Sequence, residues 1–568
     1  MRVPGSPGTA TVLGYFRDAV RSCPDRVLFN PVLGDPVTYQ AACRSAATTA
    51  VALAELGVRP GDFVVSYMDG TVPTALLDLG CAIAGVIPVP LSPGFSTSYL
   101  RQLCRQLDTR WVVTTADAVD RVVETGLTAL CPSGAMVAGA RRLPLEPMES
   151  LAHAVDRVDA AVRRVRPESL FMVQPTSGST GTAKLVRRPH RAFVRYAQFV
   201  GQELVDLDSR PRMLAVNALT HAFGLHMFTT ALALGAQIDV PSALDTATSL
   251  DEVRALDPTI LPMTPRVTRS LHRQARSECA DAGPHLFGPS ARVLLTAGGL
   301  SEPSLLRAVT ATGMDVIEWY GSSEASIVAL TRRGDWREGY AGRVVDDTAV
   351  RVAAAGDLLV RSPGLMLGYH GDQALTRAAF TEDGFYRTGD LGEVSGGGYL
   401  RIGGRKRDVF NTPEGSNIYP ERIETMIEAL PTVDQVMLVG DQRPYLVALI
   451  VVQTTALGPA GAQWSTDSTD GGLDPSSAPL LYARFTRDLA RLNRRLEPIE
   501  RIRRFLLLAD PFPGEVYRRA GSAKVRRIRS ALLTVYALRL DALYRDGGAN
   551  SPVPVGREQT TAGDGCGL

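Results

Sequence analysis

Between Pro175 and Lys184 the chain reads Pro-Thr-Ser-Gly-Ser-Thr-Gly-Thr-Ala-Lys. Thr176, Ser177, Ser179 and Thr180 bring hydroxyl donors. Gly178 and Gly181 leave backbone N–H groups open to close approach, and Lys184 adds a point charge. Such a loop suits a polyphosphate, whose oxygens take N–H and O–H donors and a cation. The spacing is not GxxxxGK[ST], so this is not the loop of P-loop nucleotide hydrolases. A flexible surface loop is the bland alternative. Further chemistry-bearing residues follow along the chain: His221 in Asn217-Ala-Leu-Thr-His-Ala-Phe-Gly224, Gly298 and Gly299 after ARVLLTA, and Tyr320-Gly321-Ser322-Ser323-Glu324. Asp390 lies in Tyr386-Arg-Thr-Gly-Asp-Leu, Arg405 and Arg407 in Gly404-Arg-Lys-Arg-Asp408, and Lys524 in RAGSAKVRR. Taken singly, each has an ordinary explanation: a structural histidine, a solvated strand-end glutamate, a basic turn, a basic helix face.

The elements around these residues alternate. RPGDFVVSYMD reads as a strand, TVPTALLDLGCAIAG as a helix and VIPVPL as a strand; MLAVNAL, GLHMFTTALALG and AQIDVP repeat the order. FMVQP is a strand running into the hydroxyl-rich loop, with HRAFVRYAQFVGQEL as the helix after it. ARVLLTAGG, SEPSLLRAVTATG and MDVIEWYG form another unit, with Ser301 as the expected N-cap. Such alternation implies parallel sheets covered by helices, with ligands at the carboxyl ends of strands. From about Asp347 the texture becomes short antiparallel strands and Gly-rich turns. After Arg405 comes a smaller α+β unit: ERIETMIEAL as a helix, VDQVMLVG and YLVALIVVQ as strands, then Arg-rich helices to about Tyr544.

The chain's 568 residues exceed the roughly 250–300 at which one core stops growing, so more than one domain is expected. Sixty-one basic against fifty-nine acidic residues give a net charge of +2, which argues neither for nucleic acid nor for a membrane surface. Seven cysteines without CxxC spacing speak against a zinc site and a disulfide framework. No signal-peptide core or membrane-length apolar run is evident, which implies a cytoplasmic protein. The expected domains are 1–404 and 405–546, with a Gly/Ser/Thr/Asp-rich insertion at about 455–478 and a disordered tail at 547–568.

The motifs, in this order, resemble those of the adenylate-forming superfamily: acyl-CoA synthetases, aryl-CoA ligases, peptide-synthetase adenylation domains and beetle luciferases. The resemblance spans roughly residues 10–545. It implies an α/β fold: a large N-terminal domain of parallel sheets layered with helices plus a small β-barrel-like part, and a smaller mobile C-terminal α+β domain. It implies that Thr176, Ser177, Gly178, Ser179, Thr180, Gly181 and Lys184 hold phosphates, and that His221 borders the acyl pocket. Gly298 and Gly299 would lie along adenine, where glycines permit close approach to a flat ring. Tyr320, with Gly321 and Ser322, would pack on adenine, Ser323 would donate to the α-phosphate, and Asp390 would accept from both ribose hydroxyls. Arg405 would reach ribose or phosphate. Glu324 would hold Mg²⁺ against the phosphates, an arrangement usual for that ion. Lys524 would enter the site for adenylation, Arg407 would be the hinge, and Gly415 would line a thiol tunnel.

The implied reaction is ATP-dependent activation of a small-molecule carboxylic acid to acyl-AMP, then transfer to a thiol, with coenzyme A as expected co-substrate. The alternatives are loading of an acyl carrier protein, activation of another oxyacid such as nitrite for an amine, and a nucleotide-binding pseudoenzyme. Retention of Lys524, Glu324 and Asp390 opposes the last. The phosphate loop departs from the family pattern at Pro175, Ala183 and Leu185, as does Leu300 after the adenine-side glycines. Glu414-Gly415 replaces a pair of glycines.

Overall fold

The computed structural model describes residues 11–68, 70–132, 137–176, 184–207, 210–278, 286–354, 356–411, 417–453, 473, 478–512 and 529–544. They fall into two compact units divided between Ile402 and Gly403.

The first unit is built on two large sheets. In the nine-stranded sheet the order is Arg343–Val344, Ser326–Leu330, Asp315–Ser322, Val293–Thr296, Ile260–Pro262, Arg212–Leu214, Gln237–Val240, Val27–Pro31 and Val37–Thr38. The six strands from Asp315–Ser322 to Val27–Pro31 are parallel, and the flanking strands are antiparallel. The second sheet, Ile87–Leu91, Phe63–Tyr67, Trp111–Thr114, Thr128–Cys131 and Arg141–Arg142, is parallel throughout. Val293–Thr296 and Trp111–Thr114 are buried at every residue, as strands covered on both faces must be. Helices Tyr39–Glu55 and Thr71–Ala84 pack closely where Gly80 meets Thr49; a Cβ on Gly80 would lie 2.7 Å from that side chain.

Three local expectations need correction. The hydroxyl-rich loop does not lead directly into a helix. It joins two antiparallel strands, Leu170–Thr176 and Lys184–Pro189, and the helix His190–Leu204 follows the second. Arg188 hid that second strand: it is fully buried where an alternating pattern would place an apolar residue. Ser301 is not the N-cap, because Pro303 occupies the first turn and moves the cap position to Glu302, which makes no capping bond. The barrel-like part is an open sheet of Ala349–Val352, Asp357–Arg361, Tyr386–Val394 and Leu400–Arg405. Four short strands are too few to close on themselves.

The second unit has a three-stranded sheet, in which Val433–Val439 pairs antiparallel with Leu446–Val452, and the latter parallel with Ile502–Leu508. The last strand lies in a stretch the sequence suggested was helical. Its run Phe505-Leu-Leu-Leu508 is apolar on both faces because both are covered. Phe505 and Leu507 pack with Ile423, Tyr482 and Phe485 from helices Pro420–Glu428 and Pro479–Asn493. Leu506 and Leu508 pack with Leu532, Leu540 and Leu543 from helices Arg529–Val535 and Ala537–Tyr544. A short apolar run of this kind has no period to identify it. The insertion lies outside the described residues except Leu473 and Ala478, both buried in this core, and the tail lies wholly outside. No helix among the described residues is long and apolar enough to cross a membrane.

Asp78, in helix Thr71–Ala84, is 1% exposed, and neither carboxylate oxygen has a hydrogen-bond partner among the described residues. Burial pushes its carboxyl up to about 8. In the unfolded chain the group would ionise near 3.9. The folded state therefore keeps a proton that the unfolded chain has lost. The stability from this group is complete below about pH 4 and is lost as pH rises through 8. Asp78→Asn is expected to raise the melting temperature at pH 9, less so at pH 6, and to leave it nearly unchanged at pH 4; scans across that range check this.

Candidate active site

The parallel strand Asp315–Ser322 ends in a tight turn that leads into the antiparallel strand Ser326–Leu330. The turn carries Ser323 and Glu324. A Cβ on Gly321 would lie 2.0 Å from the Ser326 carbonyl oxygen, so only glycine lets the two chains close here. Ser326 takes a left-handed φ of 55°, and its hydroxyl donates to the Ala192 carbonyl at 2.7 Å. The Ser322 hydroxyl accepts from the Ala325 N–H at 3.1 Å. The Glu324 carboxylate is thereby presented at a strand terminus.

Glu324 and Lys184 are brought together by a tyrosine that sequence reasoning missed. Strand Lys184–Pro189 pairs with Leu170–Thr176 on one side and with residues 367–370 on the other. The Arg187 N–H donates to the Gly368 carbonyl at 3.0 Å, and the His370 N–H to the Leu185 carbonyl at 2.8 Å. This places Tyr369 beside the hairpin. Its hydroxyl donates to Glu324 Oε1 at 3.3 Å, and Lys184 Nζ lies 5.4 Å from its ring centre. The Glu324 carbonyl accepts from the Met366 N–H at 2.8 Å. Thr176 stands opposite Lys184 in the hairpin, its hydroxyl donating to the Lys184 carbonyl at 3.3 Å.

Tyr320 and Asp390 also meet. The Tyr320 hydroxyl donates to Asp390 Oδ2 at 2.5 Å. Asp390 is 5% exposed and its N–H donates to the Thr388 hydroxyl at 3.0 Å, which in turn donates to the Leu358 carbonyl at 2.8 Å. A carboxylate held in this way can accept a pair of hydroxyls from a ligand.

His221 occupies the N-cap position of helix Ala222–Leu234, its ring Nε2 3.5 Å from the Thr220 hydroxyl. Burial pushes its imidazole down to about 4, so it is neutral at pH 7. Leu219 and Phe223, two residues to either side in sequence, are each 5% exposed. Gly298, at φ 89°, and Gly299 follow strand Val293–Thr296 at its carboxyl end. Arg405 and Arg407 belong to the second unit, where Arg407 pairs with Asp408 at 3.8 Å. Ser177, Gly178, Ser179, Thr180, Gly181, Gly415 and Lys524 lie outside the described residues.

Besides Tyr369, the sequence reading missed Arg188, Gln174 and His226. The one visible signal was the pair Arg187-Arg188 following the apolar Leu185-Val186. No cluster of three or more metal-type side chains occurs among the described residues. Glu324 alone is a fitting partner for an ion that keeps its waters and takes its remaining ligands from phosphate.

Asp390→Ala is expected to weaken Mg·ATP binding about 10- to 100-fold, the loss of a charged acceptor; calorimetry on the intact chain checks this. Gly321→Ala is expected to cost about 1–3 kcal/mol of stability, through overpacking at the turn, seen as a lowered melting temperature.

Residues 16–370 match the AMP-binding enzyme family, and residues 407–547 match the AMP-binding enzyme C-terminal domain. A long-chain-fatty-acid–CoA ligase of Mycobacterium bovis is 26% identical over 590 residues, covering 92% of this chain and 95% of its own length. An indoleacetate–CoA ligase of Aromatoleum aromaticum is 30% identical over 305 residues, covering 51% of this chain and 58% of its own. Among solved structures, an anthranilate CoA ligase in complex with anthranoyl-AMP superposes with a TM-score of 0.75 at 17% identity, covering 95% of this chain and 100% of that one. An o-succinylbenzoate coenzyme A synthetase from Bacillus subtilis, in complex with ATP and magnesium, gives 0.68 at 18% identity, covering 91% and 98%. At such identities the structures speak for the fold; the two family matches together cover most of the chain, and this chain belongs to the AMP-binding enzymes.

Proposed function

We propose that this enzyme joins a carboxylic acid to ATP, releasing pyrophosphate and forming acyl-AMP, and then transfers the acyl group to the thiol of coenzyme A. The observation that carries the reading is the convergence around one strand end. Lys184 and Glu324 both approach Tyr369, while Asp390 is tied to Tyr320, four residues before Glu324. A cation, a metal-type carboxylate and a hydroxyl-binding carboxylate are what an adenine nucleotide's phosphates, ion and ribose require. The names of the relatives support the same chemistry, with fatty-acid, indoleacetate and anthranilate ligases all using CoA.

In the first step a carboxylate oxygen of the acid bonds to the α-phosphorus. The bond from that phosphorus to the bridging oxygen breaks, and pyrophosphate leaves. Lys184 and Lys524 hold the phosphate oxygens, Ser323 donates to the α-phosphate, and the hydroxyls and glycines of residues 176–181 line the chain of phosphates. These groups lower the barrier by positioning and by fixed charge. Asp390 and Arg405 orient the ribose, and Tyr320 with Gly298 and Gly299 orients the base. Glu324 would hold Mg²⁺, which when bound would supply neutralising charge to the phosphates. His221, neutral, can border an aryl or aliphatic acyl group without bringing a charge into its pocket. In the second step the thiol sulfur attacks the acyl carbon and AMP leaves. By the resemblance of their motifs, Arg407 would serve as the hinge and Gly415 would serve the thiol's entry.

The test is ATP–pyrophosphate exchange against aryl, short, medium and long acids. Acid-dependent exchange, reduced about 100-fold or more in Lys524→Ala and Glu324→Gln, is the expected result; loss of preorganised charge has that size. No exchange with any acid, despite ATP binding, would sink the proposal. Comparing CoA with a phosphopantetheinylated carrier protein as acceptor then identifies the thiol.

A further inference from the structure

Beneath the hairpin that presents Thr176 and Lys184 sits a guanidinium that the proposed mechanism does not use. Arg188 is 0% exposed. Nη1 donates to Gln174 Oε1 at 3.0 Å, and Nη2 lies 2.7 Å from His226 Nε2. The guanidinium carbon lies 4.2 Å above the Phe193 ring. No described residue accepts from its Nε. Burial pushes the guanidinium down to about 9, opposed by the charge of Glu324, so it remains a cation at pH 7.

The partners decide what this cation holds. Gln174 is in the strand Leu170–Thr176, two residues before Thr176, and its Nε2 donates onward to the Thr220 carbonyl at 3.5 Å. His226 is fully buried in helix Ala222–Leu234, whose N-cap is His221. Its ring stacks on Tyr196 at 4.2 Å. Burial, and then the charge of Arg188, hold the His226 imidazole well below its usual range. It is therefore neutral, accepts at Nε2 and carries its proton on Nδ1. One planar fork thus joins two elements that no backbone hydrogen bond joins here: the phosphate-side hairpin and the acyl-side helix. A lysine could not make both contacts in the same plane.

Burying an arginine without a carboxylate in contact is costly, and an apolar residue of similar volume would do as well for stability alone. The cost points to a role other than stability. Building on the functional reading above, we infer that Arg188 is a positioning residue: through Gln174 and His226 it fixes Thr176 and Lys184 at the distance from the His221 turn that Mg·ATP binding requires.

The test is Mg·ATP affinity by calorimetry on the full-length chain, wild type against Arg188→Met, with melting temperatures alongside. The dissociation constant is expected to rise at least fivefold in the variant while the melting temperature moves by only a few degrees. A changed melting temperature with a dissociation constant within twofold of wild type would mean a packing role only, and would overturn the inference. If Arg188→Met does not fold, Gln174→Met, which removes only the hairpin arm, decides by the same criterion. The readout is independent of catalysis. A wild type that binds Mg·ATP but exchanges no acid refutes the functional proposal and leaves the affinity comparison to judge Arg188. A wild type that does not bind Mg·ATP overturns both.

Discussion

The strand Lys184–Pro189 is the constraint on which the first unit's site depends. A strand between two others must satisfy its N–H and C=O groups on both edges. This one does so with Leu170–Thr176 on one side and residues 367–370 on the other. Segments some 180 residues apart in sequence are thereby held at hydrogen-bonding distance. Tyr369 reaches both Lys184 and Glu324 only because of that pairing. The turn at Gly321 meets the same requirement from the other direction: without room for the Ser326 carbonyl, Glu324 would not stand at the strand's end.

Several buried titratable groups of this unit are held neutral. His221 and His226 are kept neutral by burial, and Asp78 is held protonated near pH 7. Glu318, on the same strand as Tyr320, is pushed by burial up to about 7, although it accepts from Trp336 Nε1 at 2.7 Å. Two arginines are buried here as cations: Arg195, which pairs with Asp347, and Arg188, which has no carboxylate in contact among the described residues. A buried Asp sheds its charge by taking up a proton and a buried His by giving one up; an arginine keeps its proton at neutral pH, so Arg188 must be supported by hydrogen bonds. Gln174 and His226 supply them, which makes the polar network specific to this arrangement of hairpin and helix.

The second unit shows how covering both faces of a sheet erases sequence pattern. Phe505 and Leu507 face one pair of helices, Leu506 and Leu508 the other. Every position is apolar, so neither the period of two nor that of 3.6 survives. The parallel strands of the first unit were easier to foresee, because helices such as Thr71–Ala84 and Ala222–Leu234 separate them in sequence.

The amino-acid sequence by itself determined the α/β alternation, the family and the types of group available for chemistry: Lys184, Glu324, Tyr320 and Asp390 follow from local motifs whose spacing carries their meaning. It left the hairpin, the strand Ile502–Leu508 and the start of the helix after Ser301 unread, and it indicated the antiparallel strands after Asp347 without showing that they form an open sheet, because each depends on what covers or blocks a segment. Tertiary structure alone decided which residues meet. Tyr369 beside Glu324, Tyr320 on Asp390, and Arg188 between Gln174 and His226 are contacts across 45, 70, 14 and 38 residues. No local preference encodes them, because they arise only when strand pairing and core burial have chosen the neighbours.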